Sequence, residues 1–377
     1  MSEQGFLSLP PFHFENDFWR MLQRETRPIV VYGMGNGADK LVDRLASYGK
    51  EVADFFASDG FVRGQSFRGK KVLSLKEIRE KYEDFVILVS FGSHLDDVVN
   101  NIYSLADTNC LYIPDMPLAD KEYFDSAFYQ AHYEEIKEAY NLLADEASKA
   151  VFAAVVWYKL TAQPSFLKKS VCCEDEEALC GFQNIQTAVD VGAYRGDTLK
   201  QLLDKAPCIR CVYTIEPDEK NYKKLEAVAT GVEGVTVYPI HAAAWKEDGE
   251  ITFDSSGNRN AAVALSTANL SSFEHCTKTV PSVTIDSILQ GKKADYIKYD
   301  TEGVEREALL GSERTISLYS PTLLVSAYHK SVDIFSLILW IERLHKGRYD
   351  FYLRRHNCIP AWDLNLIARR REPINEA

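Results

Sequence analysis

Two short runs constrain this chain more than any other feature: TAVDVGAYRGDT at Thr187–Thr198 and YTIEPD at Tyr213–Asp218. The first reads as an apolar strand ending at Asp190, a turn through Gly192 and Gly196, and a helix resuming near Asp197, which is placed to cap TLKQLL. Glu216 follows Gly196 by 20 residues. In a strand, helix, strand unit that offset sets an acid at the tip of the second strand, within reach of both hydroxyls of an adenosine ribose. The glycine spacing is DxGxxxG, not the GxGxxG that brings backbone N–H groups and a helix N-terminus to a pyrophosphate. Asp190 would repel a diphosphate, whereas a carboxylate and an aromatic face such as Tyr194 suit a sulfonium and an ammonium group. The pattern therefore implies S-adenosylmethionine in preference to a dinucleotide. Without a ligand, the same run reads as an ordinary strand, turn and capped helix.

At 377 residues the chain has room for two or three domains. Residues 1–118 alternate apolar strands and helices (RPIVVYGMGNG, ADKLVDRLASYG, EVADFFAS, KKVLSLKEIREKY, DFVILVSFG, HLDDVVNNIYSLA, NCLYIPD), the pattern of a small parallel α/β domain. Its first turn sets Gly33, Gly35 and Ala38 in a GxGxxA spacing, with Asp54 and Asp59 following, and is a second nucleotide-site candidate. A tight strand-to-helix turn needs glycine with or without a ligand. Residues 119–181 read as a helical connector, with Tyr123, Phe124, Phe128, Tyr133, Ile136, Tyr140 and Leu143 at spacings of three and four, then an irregular stretch through Pro164 and CCEDEEALC. Residues 182–377 return to α/β.

Composition excludes several function classes. A net charge of −12 and a pI near 5.3 leave no clustered Lys and Arg for phosphate neutralisation, so nucleic acid is not an expected partner. The longest apolar stretch, Ile334 to Ile341, is too short to span a bilayer, and MSEQGFLSLPPF lacks the charged and apolar regions of a signal peptide. The expectation is a cytoplasmic protein with no membrane partner. Eight cysteines form no regular disulfide framework. A zinc site from Cys172, Cys180, Cys208 and Cys211 is disfavoured because Cys211 opens an apolar strand in which alternation buries it alone, and no metal is expected.

The remaining segments continue the alternation: helix EKNYKKLEAVA, strand VTVYPIHAAAW, hairpin strand EITFDSS, VTIDSIL, strand DYIKYDTEG, helix REALLGSERTIS and strand PTLLVSAYH. Open α/β sheets bind ligands at the carboxyl ends of their strands, so Asp190, Glu216, His241, Asp300 and His329 are expected to converge on one crevice. Singly, each reads equally well as a helix cap or a strand-end residue.

The runs AVDVGAYRGDT, IEPDEKNYKKLE, VTIDSIL, IKYDTEGVEREALLG and LLVSAYHKSVDIF resemble, in order and spacing, those of the FkbM-type S-adenosylmethionine-dependent methyltransferases, over about residues 187–356. The most distinctive is KxDxEGxE: Lys298, Asp300, Glu302, Gly303 and Glu305. The resemblance implies a class I Rossmann-like domain with a seven-stranded, mostly parallel sheet, its last pair DFYLRRH and LNLIARR forming an antiparallel edge. It also implies O-methylation, often of sugar or polyketide hydroxyls. The family's usual first turn is close to DVGANxG, and Tyr194 stands where Asn is common. The first domain loosely resembles the small Rossmann-like domains that precede sugar O-acyltransferases, which points to a saccharide or small-molecule acceptor.

On this reading Glu216, beside Asp218, holds the ribose, Gly192 and Gly196 allow close backbone approach, and Asp190 and Tyr194 line the methionine end. His241 flanks the adenine with Ala242 and Ala243. Asp300 faces the reacting centre, with His329 as the proton acceptor, tuned near its ordinary pKa of about 6.5, or Glu302 if desolvated. Two other classes compete: an NAD(P)-dependent oxidoreductase centred on Gly33 to Ala38, and a non-catalytic nucleotide or nucleotide-sugar binding module.

Overall fold

Three β-sheets organise the chain, whose computed structural model describes residues 8–254 and 277–371. The first sheet contains β1 (Ile29–Tyr32), β2 (Asp54–Ala57), β3 (Ser66–Phe67), β4 (Lys70–Ser74), β5 (Val86–Val89) and β6 (Cys110–Tyr112), in the order β3-β4-β2-β1-β5-β6. Its neighbours pair in parallel except β3 with β4, which closes one edge as a short antiparallel hairpin. Strands β1, β2 and β5 are buried at every residue, as expected of apolar runs covered by helices on both faces.

Five helices then carry the chain to the second sheet: Ser126–Ala131, Tyr133–Leu142, Glu146–Thr161, Pro164–Lys169 and Glu176–Cys180. The longest starts where the Asp145 carboxylate accepts the Ser148 N–H at 2.7 Å. It is apolar around most of its circumference, with Val151 to Val156 buried in sequence, so it runs through the interior and not along the surface. Two buried arginines at the end of the second sheet fasten this connector. Arg354 pairs with Asp145 at 2.8 Å and Asp175 at 2.7 Å; Arg355 donates to the Ser170 hydroxyl at 2.7 Å and the Leu167 carbonyl at 2.9 Å. One hydrophobic cluster extends from Ile87 and Val89 of β5, through Phe152 and Val155 of the connector, to Val189, Ile297 and Phe351 beyond it.

The second sheet is built from β7 (Thr187–Val191), β8 (Cys211–Ile215), β9 (Thr236–Ile240), β13 (Tyr296–Tyr299), β14 (Thr322–Ser326), β15 (Tyr349–Arg355) and β16 (Leu364–Arg370), in the order β15-β16-β14-β13-β7-β8-β9. It is the seven-stranded, mostly parallel sheet of the sequence expectation, antiparallel where β16 meets β14 and β15. A third sheet adds β10 (Ala243–Ala244), β11 (Gly249–Asp254) and β12 (Thr277–Val283), in the order β10-β12-β11. The run VTVYPIHAAAW, expected as one strand, is thus divided between β9 and β10 in different sheets. Pro239 offers no N–H to a ladder and is accommodated because β9 is the sheet's edge, paired only with β8. The expected hairpin strand EITFDSS ends at Asp254; Ser255 and Ser256 lie outside the described residues. Strand order reverses beside β7, with β8 on one side and β13 on the other, which opens a crevice at their carboxyl ends.

Candidate functional site

The turn after β7 is shaped by close backbone contact. Gly192 has φ +82°, and a Cβ there would run into the Asp300 carbonyl oxygen at the end of β13, so the two strand ends could not approach with any larger residue. The N–H groups of Gly192 and Ala193 both bond to the Ile215 carbonyl at 3.0 Å, which draws the turn over β8. Tyr194 sits in the left-handed region at φ +49°, where asparagine is more easily accommodated than a bulky side chain. Its N–H then donates to Glu216 Oε2 at 2.8 Å, while the Asp218 N–H donates to Glu216 Oε1 at 2.9 Å. Both carboxylate oxygens are thereby fixed at the tip of β8, and each retains a lone pair for a further donor. Asp197 does not cap the following helix: it is the first helical residue, and Gly196 occupies the cap. Asp218 caps the next helix by accepting from Lys220 and Asn221, both at 3.0 Å.

These strand ends enclose a pocket of about 270 Å³. Its walls come from the β7 turn (Gly192, Tyr194), the tip of β8 (Glu216), β10 (Ala243), the end of β13 (Lys298, Asp300, Glu302), Tyr328 beyond β14, and Asp363 before β16. Acids outnumber bases on the lining, where Lys298 faces Asp197, Glu216, Asp300, Glu302 and Asp363. Lys298 Nζ donates to Thr198 Oγ1 at 3.0 Å and to Asp300 Oδ2 at 3.4 Å, and lies 3.9 Å from Asp190 Oδ1. Burial opposes its charge, but the carboxylates of Asp300 and Asp190 raise its pKa above the ordinary lysine value. Asp300 also accepts from the Ser326 hydroxyl at 2.9 Å; although burial works against ionisation, Lys298 and then His329 hold its pKa below the usual value.

Burial has the opposite outcome at three other acids. Asp190 is fully buried beneath the pocket with neither oxygen hydrogen-bonded, and burial pushes its pKa to about 6 against the pull of Lys298. Burial raises Glu216 to about 7, despite its two backbone donors. Glu302, at φ +57° on the pocket wall, is raised to about 7 by burial, with His329 opposing. His329 itself is 2% exposed. Its Nδ1 lies 2.9 Å from Glu305 Oε1, and its Nε2 lies 3.4 Å from Glu302 Oε2 and 3.7 Å from Asp300 Oδ1. Burial lowers its pKa, but these carboxylates, Glu305 foremost, carry it up to about 10. The imidazole is therefore a cation at neutral pH and not the near-neutral proton acceptor that its residue type implies.

Of the expected site residues, Gly192, Tyr194, Glu216, Ala243, Asp300 and Glu302 line the pocket. Asp190 and His329 lie buried behind its wall, Gly196 and Asp218 shape the adjacent helix starts, and Ala242 is buried beside the lining. His241 sits apart: it is exposed, stacks on Tyr222 at 4.7 Å between ring centroids, and meets the Pro217 carbonyl at 3.1 Å. Sequence reasoning did not single out Thr198, Asn221, Tyr328 and Asp363 as lining residues. Lys298 had a signal, as the first residue of KxDxEGxE. Asp363 had none, because it lies on the loop between β15 and β16 and reaches the pocket only through the fold.

In the first domain, Gly33 (φ +116°) and Gly35 (φ +96°) make the turn ahead of the helix Asn36–Ser47, and Ala38 is fully buried. A cavity of about 190 Å³ next to this turn is lined by Met34, Asn36, Lys40 and Phe91, with Pro360 and Trp362 from the β15–β16 loop. Asp54 does not face it, being engaged by Lys81 at 2.7 Å and by the Tyr82 hydroxyl. No helix among the described residues is long and apolar enough to cross a membrane.

Comparison with known proteins agrees with this architecture. Residues 190–351 match the family model described as the methyltransferase FkbM domain. A crystal structure of methyltransferase FkbM from Methylobacillus flagellatus KT aligns with a TM-score of 0.69 and 21% identity, covering 96% of this chain and 94% of that one. Fibrillarin from Aeropyrum pernix, in complex with natively bound S-adenosyl-L-methionine, aligns at 12% identity over 50% of this chain and 67% of its own, with a TM-score of only 0.32. No curated protein matches the sequence. The glycine turn and the KxDxEGxE run both fall in the segment that the family model covers, and residues 190–351 of this chain are a methyltransferase FkbM domain.

Proposed function

We propose that this methyltransferase takes its methyl group from S-adenosylmethionine and transfers it to a hydroxyl oxygen of a small-molecule or saccharide acceptor. The observation that carries the reading is Glu216: a carboxylate fixed through both oxygens by backbone N–H groups at the end of β8, facing the pocket at the sheet's switch point. The chemistry of the lining fits the cofactor, since an excess of carboxylates suits a ligand with a sulfonium and an ammonium group. Glu216 would hold the ribose hydroxyls, Tyr194 and Asp197 would stand at the methionine end, and Lys298 supplies a cation for the methionine carboxylate.

Bound S-adenosylmethionine supplies a methyl carbon made electrophilic by its sulfonium. The chain's part is to hold the acceptor oxygen in line and to take its proton, because orientation can supply most of the acceleration of such a displacement. Glu302 is the better-tuned acceptor of that proton, being raised to about 7 and on the pocket wall. Glu302 would take the proton released by the acceptor hydroxyl as that oxygen is methylated. His329, already protonated, keeps Asp300 and Glu302 oriented.

Calorimetry with S-adenosylhomocysteine and, separately, NADH tests the reading. The expected result is S-adenosylhomocysteine binding near the micromolar range, about 8 kcal/mol, weakened roughly 100-fold by Glu216→Ala. Binding of NADH without S-adenosylhomocysteine would overturn the proposal and move attention to the Gly33 turn.

A further inference from the structure

The first sheet has a switch point of its own. Strand β1 lies between β2 on one side and β5 on the other, all three parallel, and open sheets of this kind bind ligands where the strand order reverses. The cavity of about 190 Å³ sits at that point, with Met34 and Asn36 beyond β1 and Ser90 and Phe91 beyond β5. Its aromatic walls are held in place: a Cβ on Gly33 would meet the Phe91 ring at 2.6 Å, and Trp362 is wedged against Gly92. Lys40 is the only charged side chain on the lining, in a chain whose net charge is −12. Its Nζ donates to the Pro117 carbonyl at 2.9 Å and makes no ion pair among the described residues, which leaves two of its three donors free. Burial pulls its pKa below the ordinary lysine value, opposed by Asp120, which is not on the lining. The helix Asn36–Ser47 starts at the same cavity, without a side-chain cap, and Asn36 and Gly37 of its first turn belong to the lining.

We propose that this cavity binds a small organic anion, a carboxylate or phosphate carried on a planar apolar body, with Lys40 as its counter-ion. A neutral apolar ligand would bury the ammonium further without a counter-charge, and an inorganic anion would leave the Phe91 and Trp362 surfaces against water. A ligand with both parts satisfies the two together, the helix start adding its dipole to the attraction of Lys40. A dinucleotide is not the ligand expected, because no acid at the end of β2 faces the cavity: Asp54 opens that strand and pairs with Lys81, and Asp59 is not on the lining. The position of the cavity matters as much as its chemistry. Strands β14 and β15 are both antiparallel to β16, so the β15–β16 loop leaves the second sheet at the carboxyl edge where the methyltransferase pocket opens. Trp362 of that loop lines the first cavity, and Asp363 lines the second. A ligand held in the first domain therefore borders the methyltransferase pocket, which suits the anionic portion of an acceptor. That use rests on the methyl-transfer reading above, whereas binding of the anion stands on the cavity alone.

The test titrates the full chain with phenyl phosphate while the indole N–H resonances of its five tryptophans are followed, that of Trp362 being assigned from Trp362→Phe. The Trp362 resonance should move with a Kd of about 1 mM or tighter, and those of Trp157 and Trp245 should stay in place. Phenol and inorganic phosphate, titrated separately, should each bind at least about tenfold more weakly. Lys40→Gln should weaken phenyl phosphate by at least about tenfold, and Lys76→Gln, at an exposed lysine, should leave it unchanged. The shift on the unaltered chain does not depend on a variant folding. No movement of Trp362 up to about 10 mM, phenol binding as tightly as phenyl phosphate, or equal binding by Lys40→Gln would overturn the site. S-adenosylhomocysteine added at saturation should leave phenyl phosphate bound; displacement would show that the anion had entered the methyltransferase pocket at Lys298 and would also overturn it. Absence of S-adenosylhomocysteine binding with phenyl phosphate still bound refutes the cofactor reading and leaves the anion site standing.

Discussion

Asp190 shows how a single residue sets function against stability. Its folded pKa of about 6 lies above the ordinary value of about 3.9. The folded chain therefore holds a proton that the unfolded chain has released between these two values. The stability associated with that proton is complete below about pH 4 and lost as pH rises through about 6. Above pH 7 the chain carries a buried, unpartnered carboxylate whose nearest cation is 3.9 Å away. Asp190→Asn should then stabilise the ligand-free protein by about 2–3 kcal/mol at pH 8 and by about half as much at pH 5, read from urea midpoints. Equal gains at both pH values would show that burial of the charge is not the cause. Glu302 gives the kinetic counterpart. As a base near 7 it is active when deprotonated, so the methyl-transfer rate with a working acceptor should rise about tenfold per pH unit below 7 and level off above it. Glu302→Gln should lower the plateau about 100-fold and remove the inflection.

Among elements, the loop between β15 and β16 connects more of the molecule than its sequence suggests. Ser93 and Ile359 exchange backbone hydrogen bonds of 2.8 and 3.0 Å, and the Asn357 amide reaches Asp96 at 3.0 Å, so the loop is pinned to the first domain just after β5. Trp362 packs so closely on Gly92 that a Cβ there would overlap its ring, and the next residue, Asp363, lines the methyltransferase pocket. Gly92→Ala should displace the indole and destabilise the chain by about 1–3 kcal/mol, the usual cost of overpacking. A thermal shift smaller than that of a surface Gly→Ala control would show the loop to be freely adjustable. This loop also marks the limit of what the sequence conveys. The β7 turn, the Glu216 offset and the KxDxEGxE run are legible because each is a local pattern whose spacing alone sets residues at strand ends. Asp363 and Tyr328 enter the pocket through the packing of distant segments, which leaves no local period. His241 shows the converse: it follows the sheet's edge strand, its ring nitrogen meets the Pro217 carbonyl, and it is not among the residues that line the pocket. Residue type misled once more at His329, where three surrounding carboxylates, none adjacent to it in sequence, decide the protonation state.

At the scale of the whole molecule, one hydrophobic cluster crosses the connector, although each sheet also has a cluster of its own on its other face. The crossing cluster includes residues of β1, β2 and β5 and continues through the helix Glu146–Thr161 into the second sheet, with Phe152 and Val155 fully buried within it. Backbone pairs tie Cys172 to Arg355 and Ala144 to Phe351, and Arg354 takes Asp145 and Asp175 from either side of that helix. The Ala119 N–H bonds to the His329 carbonyl at 3.2 Å, and a Cβ on Gly303 would collide with Ala119, so the start of the connector lies against the KxDxEGxE turn itself. Segments that share a core and a pocket wall in this way should unfold together, since opening one exposes apolar surface of the other. The full chain is therefore expected to show one urea transition, coincident by far-ultraviolet circular dichroism and tryptophan fluorescence, although its length would permit two. A fragment of residues 182–377 would leave Phe351 and Ile338 without the helices that cover them. It should bind the dye ANS strongly and melt without a sharp transition, as a state with secondary structure but loose packing does. A fragment that melts cooperatively and binds S-adenosylhomocysteine as tightly as the full chain would show instead that the second sheet folds and functions on its own. The first domain and connector would then act on the acceptor alone.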